Sequence, residues 1–306
     1  VPEDAIETHM AWVFLTEDYA YKLKKPVCAR LTDYRTVEAR RRACYTELEL
    51  NRRLAASVYL TVVPLVDTDD GLRLADEGPP VDWLVKMRRL PRDHMLDIRI
   101  EQNTVQREHI DPLGTKLASF YRNAEPVRWS GPEYRGQLTA NLVAKRTSLQ
   151  QPRYGLPPAL IEAVVDEQTQ WLTEHASLLE TRADRVVDAH GDLRPEHICL
   201  MNELLVIDCL DFSRSLRLLD PLSELSFLLL ECRRLGASWI GENLIARYRQ
   251  RTGDDAPARL IPFYESYHAL VRAALAIWHL DDETFGDASF WRDQAEAYLR
   301  LAHERL

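Results

Sequence analysis

The five cysteines, Cys28, Cys44, Cys199, Cys209 and Cys232, are odd in number and contain no CxxC pair. Neither a zinc site built on cysteine nor a disulfide framework is expected, and the pattern points to a reducing, cytoplasmic compartment. Long apolar runs are also missing. A typical one, residues 225–230, is broken by Ser226 and stops at Glu231, far short of the roughly 20 residues that cross a bilayer. No secretory leader is visible, because the N-terminus is acidic where such a leader is basic. The chain opens at Val1, which leaves a longer natural N-terminus open. No low-complexity tract and no internal repeat occur. Positive charge is in deficit: 39 Lys and Arg against 48 Asp and Glu give a formal charge of −9. That balance argues against nonspecific nucleic-acid binding and suits either a cationic substrate or a merely solvated surface. No GxSxG motif supports Ser-His-Asp hydrolysis.

What is present is ordinary for a soluble enzyme. Hydrophobic residues make up 46% and charged residues 28% of 306 residues, enough for one large domain or two lobes. Residues 12–15 and 19–24 read as strands around the polar turn Thr16-Glu17-Asp18. Residues 37–55 carry a helical pattern. Residues 60–66 and 81–90 read as a hairpin across a stretch rich in Asp and Gly. After Pro91, residues 105–123 and 157–181 read as helices with a loop at 131–136 between them. A β island follows at 186–189, 198–200 and 204–207, and from Pro221 onward the pattern is helical. The expectation is an α+β chain with a β-rich N-lobe over 1–90, a mostly helical C-lobe over 91–306, and a ligand cleft between them.

The island carries the chemistry. His190-Gly191-Asp192-Leu193 follows one strand directly, and Asp208 ends another. Strand ends within a hairpin bring two carboxylates to one rim. Such a pair suits phosphoryl transfer, one accepting a hydroxyl proton and the other holding Mg²⁺ against nucleotide phosphates. A turn residue at Asp192 and a strand-end cap at Asp208 are the plain alternative.

HGDLRPEHI resembles the HGDLxxxN catalytic loop of aminoglycoside phosphotransferases and their protein-kinase relatives, and VIDCLDF resembles the metal-binding strand end where kinases have DFG. The likeness extends to ETHMAWVFLTEDYAYKLKKPV, ELELNRRLA and VKMRRLP, which look like an uncharacterised bacterial branch of that family. Members of that branch often carry a second, P-loop kinase domain. No GxxxxGK[ST] occurs in this sequence, so that domain is not expected within it. The resemblance implies a bilobal protein-kinase-like fold, with Asp192 as catalytic base, His190 supporting the loop, and Asp208 as Mg²⁺ ligand. The family places Asn five residues after the base; this chain has His197, a poor partner for Mg²⁺ and a better one for softer ions. One-metal catalysis, a site using Mn²⁺ or a similar ion, and a weakened site all follow from that departure. Arg194 stands where these enzymes usually have His, and suits either a phosphate contact or a pair with Glu196. Asp211 is a further candidate metal residue or an exposed loop acid. Asp220 before Pro221 reads as a helix N-cap.

In kinases a strand lysine holds the α- and β-phosphates and a helix glutamate positions it. Period-2 alternation puts Ala20, Lys22 and Lys24 on one face, and the Ala-x-Lys spacing matches the kinase pattern at Lys22. Lys24 is the alternative phosphate lysine; with Lys22 in that role, Lys24 and Lys25 read as solvated. Glu47 and Glu49 both qualify as partner but point to different sides of their helix, and the family pattern favours Glu47. No GxGxxG loop exists, which counts against a protein kinase more than against this family. After the strand ending at Met87, Arg88, Arg89 and Leu90 would form the hinge, with adenine bonded to their backbone; Met87 suits a purine contact or the core equally. Trp171, Trp239, Trp278 and Trp291 read as packing, His268 and His279 as non-ligands, and Arg40-Arg41-Arg42 as a solvated face. The expected activity is ATP-dependent phosphorylation of a small-molecule hydroxyl, with nucleotide and small molecule as partners and neither nucleic acid nor membrane. A pseudokinase that binds nucleotide or a protein partner without turnover, and a nucleotidyl transferase, are the alternatives.

Overall fold

The computed structural model describes residues 4–29, 32–75, 77–281 and 287–306. They form two compact units, one drawn from residues 1–109 and 190–217 and the other from 110–189 and 218–306.

In the first unit the strands are β1 (Asp4–Glu7), β2 (Ala11–Leu15), β3 (Tyr19–Lys24), β4 (Cys28–Ala29) and β5 (Thr32–Asp33). Helix α1 (Val37–Ala55) follows, then β6 (Tyr59–Thr68), β7 (Gly71–Leu74) and β8 (Pro80–Arg88). Among the described residues six of these strands make one antiparallel sheet in the order β1-β2-β3-β8-β6-β7. The expected pairing of β6 with β8 is present, but it is not a simple hairpin. The polar stretch between them holds β7, which pairs with the far side of β6. Its four residues are all exposed, and the alternation of Leu72 and Leu74 is too short to mark a strand within a polar stretch.

Helix α1 starts where the Thr36 side chain accepts the Ala39 N–H at 3.2 Å, and it carries Glu38 in its first turn and Arg52 and Arg53 in its last. That is the charge order the helix dipole favours. Its buried residues, Arg40, Cys44, Glu47, Leu48, Asn51, Leu54 and Ala55, recur at helical spacing and face the sheet. Cys44, Leu48 and Ala55 pack with Ala20, Tyr59, Val85 and Met87. The hairpin of Ile198–Leu200 and Leu204–Val206 puts Cys199 and Leu205 into that same core. This shared apolar contact is why residues 190–217 belong with the strands.

The second unit is helical. Its main helices are Gly131–Leu149, Pro158–Glu174, Pro221–Arg234, Ser238–Thr252, Leu260–Trp278 and Ala288–Arg305. The loop expected at 131–136 is instead the first turns of a helix. Ser130 and Glu133 form a reciprocal capping box and Pro132 sits in the first turn, so two glycines that look like breakers lie behind a strong start signal. Trp171 packs as expected, its ring stacked 4.1 Å from Phe263. Asp220 is the N-cap of the following helix, its carboxylate accepting the Leu222 N–H at 2.9 Å. It also takes two bonds from Arg182, at 2.7 Å each. His268 is bonded to Ser223 and stacked on Phe227, while His279 lies past the helix end against Trp291. No helix among the described residues is long and apolar enough to cross a membrane.

Candidate active site

All residues singled out for phosphoryl transfer lie in the first unit. Lys22 and Lys24 share a face of β3, as the alternation requires. The Lys22 ammonium sits 2.9 Å from Glu47 Oε1 and 2.8 Å from Asp208 Oδ1. Glu49, on the other side of α1, is exposed. Lys24 is not solvated, contrary to expectation: it is 3% exposed, lies 2.7 Å from Glu47 Oε2, and bonds Asp211. Lys25 is buried too, bonded to Glu7 at 2.5 Å. Arg40 likewise leaves the solvated face expected of it, being buried and paired with Asp82 at 2.8 Å. Alternation fixes which face a side chain takes; it does not say whether the face is covered.

Two ammonium groups thus face three carboxylates. Burial works against the charge of Lys22, but Asp208 and then Glu47 raise its pKa well above the ordinary lysine value. Burial also opposes the charge of Glu47, and Lys22 and Lys24 hold its carboxyl below the usual range. Asp211 therefore serves Lys24, and the structure brings Asp208 and His197 together without it.

The loop after residue 189 is tied to the Asp208 strand through His190. Its Nε2 donates to the Ile207 carbonyl at 2.9 Å and its Nδ1 accepts the Asp192 N–H at 3.3 Å. Burial first, then His197, push its pKa down to about 3, so the ring is neutral and structural. Gly191 has φ 86°, and a Cβ there would lie 2.9 Å from Arg217 Cγ and 3.0 Å from Leu210 Cβ. Only glycine fits both demands.

Asp192 and Asp208 flank one imidazole. His197 Nδ1 is 3.6 Å from Asp192 Oδ2, and its Nε2 is 3.6 Å from Asp208 Oδ2. Arg194 Nε lies 3.0 Å from Asp192 Oδ1. Asp208 has φ 59°, a left-handed backbone uncommon for a non-glycine residue and frequent where function holds strain. Its N–H donates to the Tyr59 hydroxyl at 3.1 Å, and the next N–H, of Cys209, donates to Asn51 Oδ1 at 2.8 Å. The bend leaves the Asp208 side chain 47% exposed beside buried lysines. Removal from water opposes its charge, yet Lys22 holds its carboxyl far below the usual carboxylate range.

Tyr59 and Asn51 escaped the sequence reading. Each acts on the bend through one long-range hydrogen bond, which has no local signature. For Asn51 a signal existed: it is a polar residue on the buried stripe of α1, four after Glu47.

The expected hinge is more committed than anticipated. Met87 is buried in the sheet core. The Arg88 and Arg89 amides already donate to Val58 and Asp18 carbonyls at 2.8 Å each, and the Arg89 side chain reaches the Thr16 carbonyl. Leu90 packs against the same core.

Among the described residues no three His, Cys, Asp or Glu side chains converge into a self-sufficient metal site. The donor set present is one carboxylate oxygen of Asp208 and one imidazole nitrogen of His197. Such a set fits an ion whose remaining ligands come from nucleotide phosphates and water.

No family model matches the sequence. Uncharacterized proteins of Mycobacterium tuberculosis (strain H37Rv) and Mycobacterium bovis are each 35% identical over 280 residues, covering 88% of this chain and 54% of theirs. The chain therefore spans about half the length of the curated relatives it matches. Solved structures resemble it over its whole length. A choline/ethanolamine kinase family protein from Mesorhizobium loti aligns with a TM-score of 0.61 at 15% identity, over 100% of this chain and 90% of the other. Choline kinase from Cryptosporidium parvum gives 0.57 at 11% identity, over 98% and 88%. The GDP complex of aminoglycoside 2'-phosphotransferase-IIIa gives 0.55 at 14% identity, over 97% and 93%. A mixed fold, antiparallel sheet first and helices after, is thus the fold this chain shares with choline kinases and aminoglycoside phosphotransferases.

Proposed function

We propose that this chain transfers the γ-phosphoryl group of ATP to a hydroxyl of a small molecule. The observation that carries the reading is the Lys22 ammonium held between Glu47 and Asp208, within a fold shared with small-molecule kinases. Residues 1–90 act as the nucleotide clamp. Glu47 keeps Lys22 aimed while its ammonium passes from Asp208 to a phosphate. Asp192 accepts the hydroxyl proton as the acceptor oxygen bonds to phosphorus, and the bond from phosphorus to the β–γ bridging oxygen breaks to release ADP. A dication bound at Asp208, Mg²⁺ in the ordinary case, would neutralise phosphate charge. With the Arg88 and Arg89 amides committed, adenine contacts fall to the Leu90 N–H and the carbonyl oxygens of this stretch. The cytoplasm is the compartment that fits five free thiols.

One observation favours a second reading, a nucleotide-binding pseudokinase: the Arg194 guanidinium sits 3.0 Å from one oxygen of the Asp192 carboxylate. An assay of ADP release with Mg²⁺ or Mn²⁺, with both ATP and GTP offered, separates the two. Turnover lost in Asp192→Asn supports transfer. Absence of turnover in every metal, with ATP still raising Tm, supports the pseudokinase, and turnover gained in Arg194→His would identify the arginine as the block.

A further inference from the structure

We infer that His197 and Asp208 form a nitrogen–oxygen pair that selects a borderline transition-metal dication, of the Mn²⁺ and Co²⁺ kind, over Mg²⁺. The inference rests on the phosphotransferase reading and deepens it by naming the class of ion.

Two hydrogen bonds fix the state of the ring. Nδ1 lies 2.8 Å from the Asp192 carbonyl oxygen, which only accepts, so Nδ1 carries the proton. Arg194 Nη2 lies 3.1 Å from Nε2, and a guanidinium only donates, so Nε2 offers its lone pair. Nε2 is also the atom 3.6 Å from Asp208 Oδ2. A ring N–H anchored on a backbone carbonyl is the usual way a protein orients a metal-binding imidazole and sets its tautomer. The ring is buried and ends the short turn Pro195–His197 that leads into strand Ile198–Leu200, which limits its freedom to turn away.

The second donor is equally defined. Lys22 holds Oδ1 of Asp208, which leaves Oδ2 on the imidazole side. Bonds of about 2.0–2.2 Å to nitrogen and oxygen bridge a gap of this size with small shifts of either side chain. Arg194 gives up Nε2 on occupation and keeps its contact with Asp192. The chemistry of the pair then decides the ion. Mg²⁺ demands oxygen ligands and dehydrates reluctantly, whereas imidazole nitrogen favours ions later in the first transition row. The other histidine of the loop does not compete, since both His190 ring nitrogens are engaged by backbone.

The test uses the full chain with ADP. Pulsed EPR of added Mn²⁺ reads whether an imidazole nitrogen is coupled to the bound ion, and calorimetric titrations give Mn²⁺ and Mg²⁺ affinities. Nucleotide binding is followed separately by displacement of a fluorescent ADP analogue. We expect nitrogen modulation in the natural protein and Mn²⁺ bound about tenfold or more tightly than Mg²⁺. His197→Asn and His197→Gln should both lose the modulation and most of the preference. Bound Mn²⁺ without nitrogen coupling in the natural protein overturns the inference and needs no variant to fold; nucleotide binding that persists in that case leaves the phosphotransferase reading standing. Failure to bind either Mn²⁺ or nucleotide sinks both.

Discussion

The charges around Arg182 and those around Lys22 are both drawn out of water, yet only the first set is closed. Arg182 pairs with Asp220 and Asp254 at 2.6–2.7 Å. The surplus negative charge there is spread over the Tyr264 and Tyr248 hydroxyls and the Leu222 and Ala256 amides. Every donor comes from the chain, and Asp220 is fully buried. Around Lys22 the surplus ends instead on Asp208, a half-exposed carboxylate on a left-handed backbone. A closed cluster holds helices together. An open one, with cations kept beside an exposed acid, is poised to exchange a protein partner for a ligand.

Four experiments probe that contrast. The largest effect should come from Asp192→Asn: phosphoryl transfer falls about 10³-fold with Tm nearly unchanged, and a loss under tenfold would deny the residue its role. Next, Arg182→Met leaves two acids buried without their cation, and denaturant titration should show a loss of about 3–5 kcal/mol. A near-neutral result would mean that the closed cluster does not hold the helices.

Acid should act through the buried histidines. Burial pushes the His268 pKa down to about 4, while an unfolded histidine titrates near 6.5. Below pH 6.5 the unfolded chain binds a proton that the folded form refuses. The stability is therefore complete above that pH and is lost as pH falls toward 4. The expected loss by pH 5 is about 2 kcal/mol for each such histidine, and His190 adds a second. His268→Gln should remove half the slope in denaturant titrations between pH 7.5 and pH 5; an unchanged slope would contradict the assignment. The smallest effect is assigned to Lys24→Met, which leaves Glu47 its bond to Lys22. Nucleotide affinity should fall about tenfold through misplacement of Lys22, with a stability loss smaller than that of Arg182→Met. Unchanged affinity would reduce Lys24 to a structural ion pair.

How much of this was legible follows from range. The Asp220 cap is a local fact of cap chemistry. Alternation put Lys22 and Lys24 on one face and helix phase parted Glu47 from Glu49, while the family resemblance chose Lys22 and Glu47. The burial of Lys24 and the commitment of Asp211 depend on two elements meeting, which no window of sequence reports. The helix Gly131–Leu149 is masked by Gly131 and Gly136, which resemble loop breakers, although Ser130 and Glu133 cap its start. Tyr59 and Asn51 support the Asp208 bend from 149 and 158 residues away. His197 was visible as a departure, but its tautomer was not, since that is set by Asp192 and Arg194 in space.

The most direct test of the central claim follows the products when the purified chain meets ATP, Mg²⁺ or Mn²⁺, and a panel of hydroxylated small molecules, read by ³¹P NMR. The account predicts a phosphomonoester formed in step with ADP, and neither product with Asp192→Asn. Release of AMP or pyrophosphate, or bound ATP that is never consumed in any metal, would contradict it.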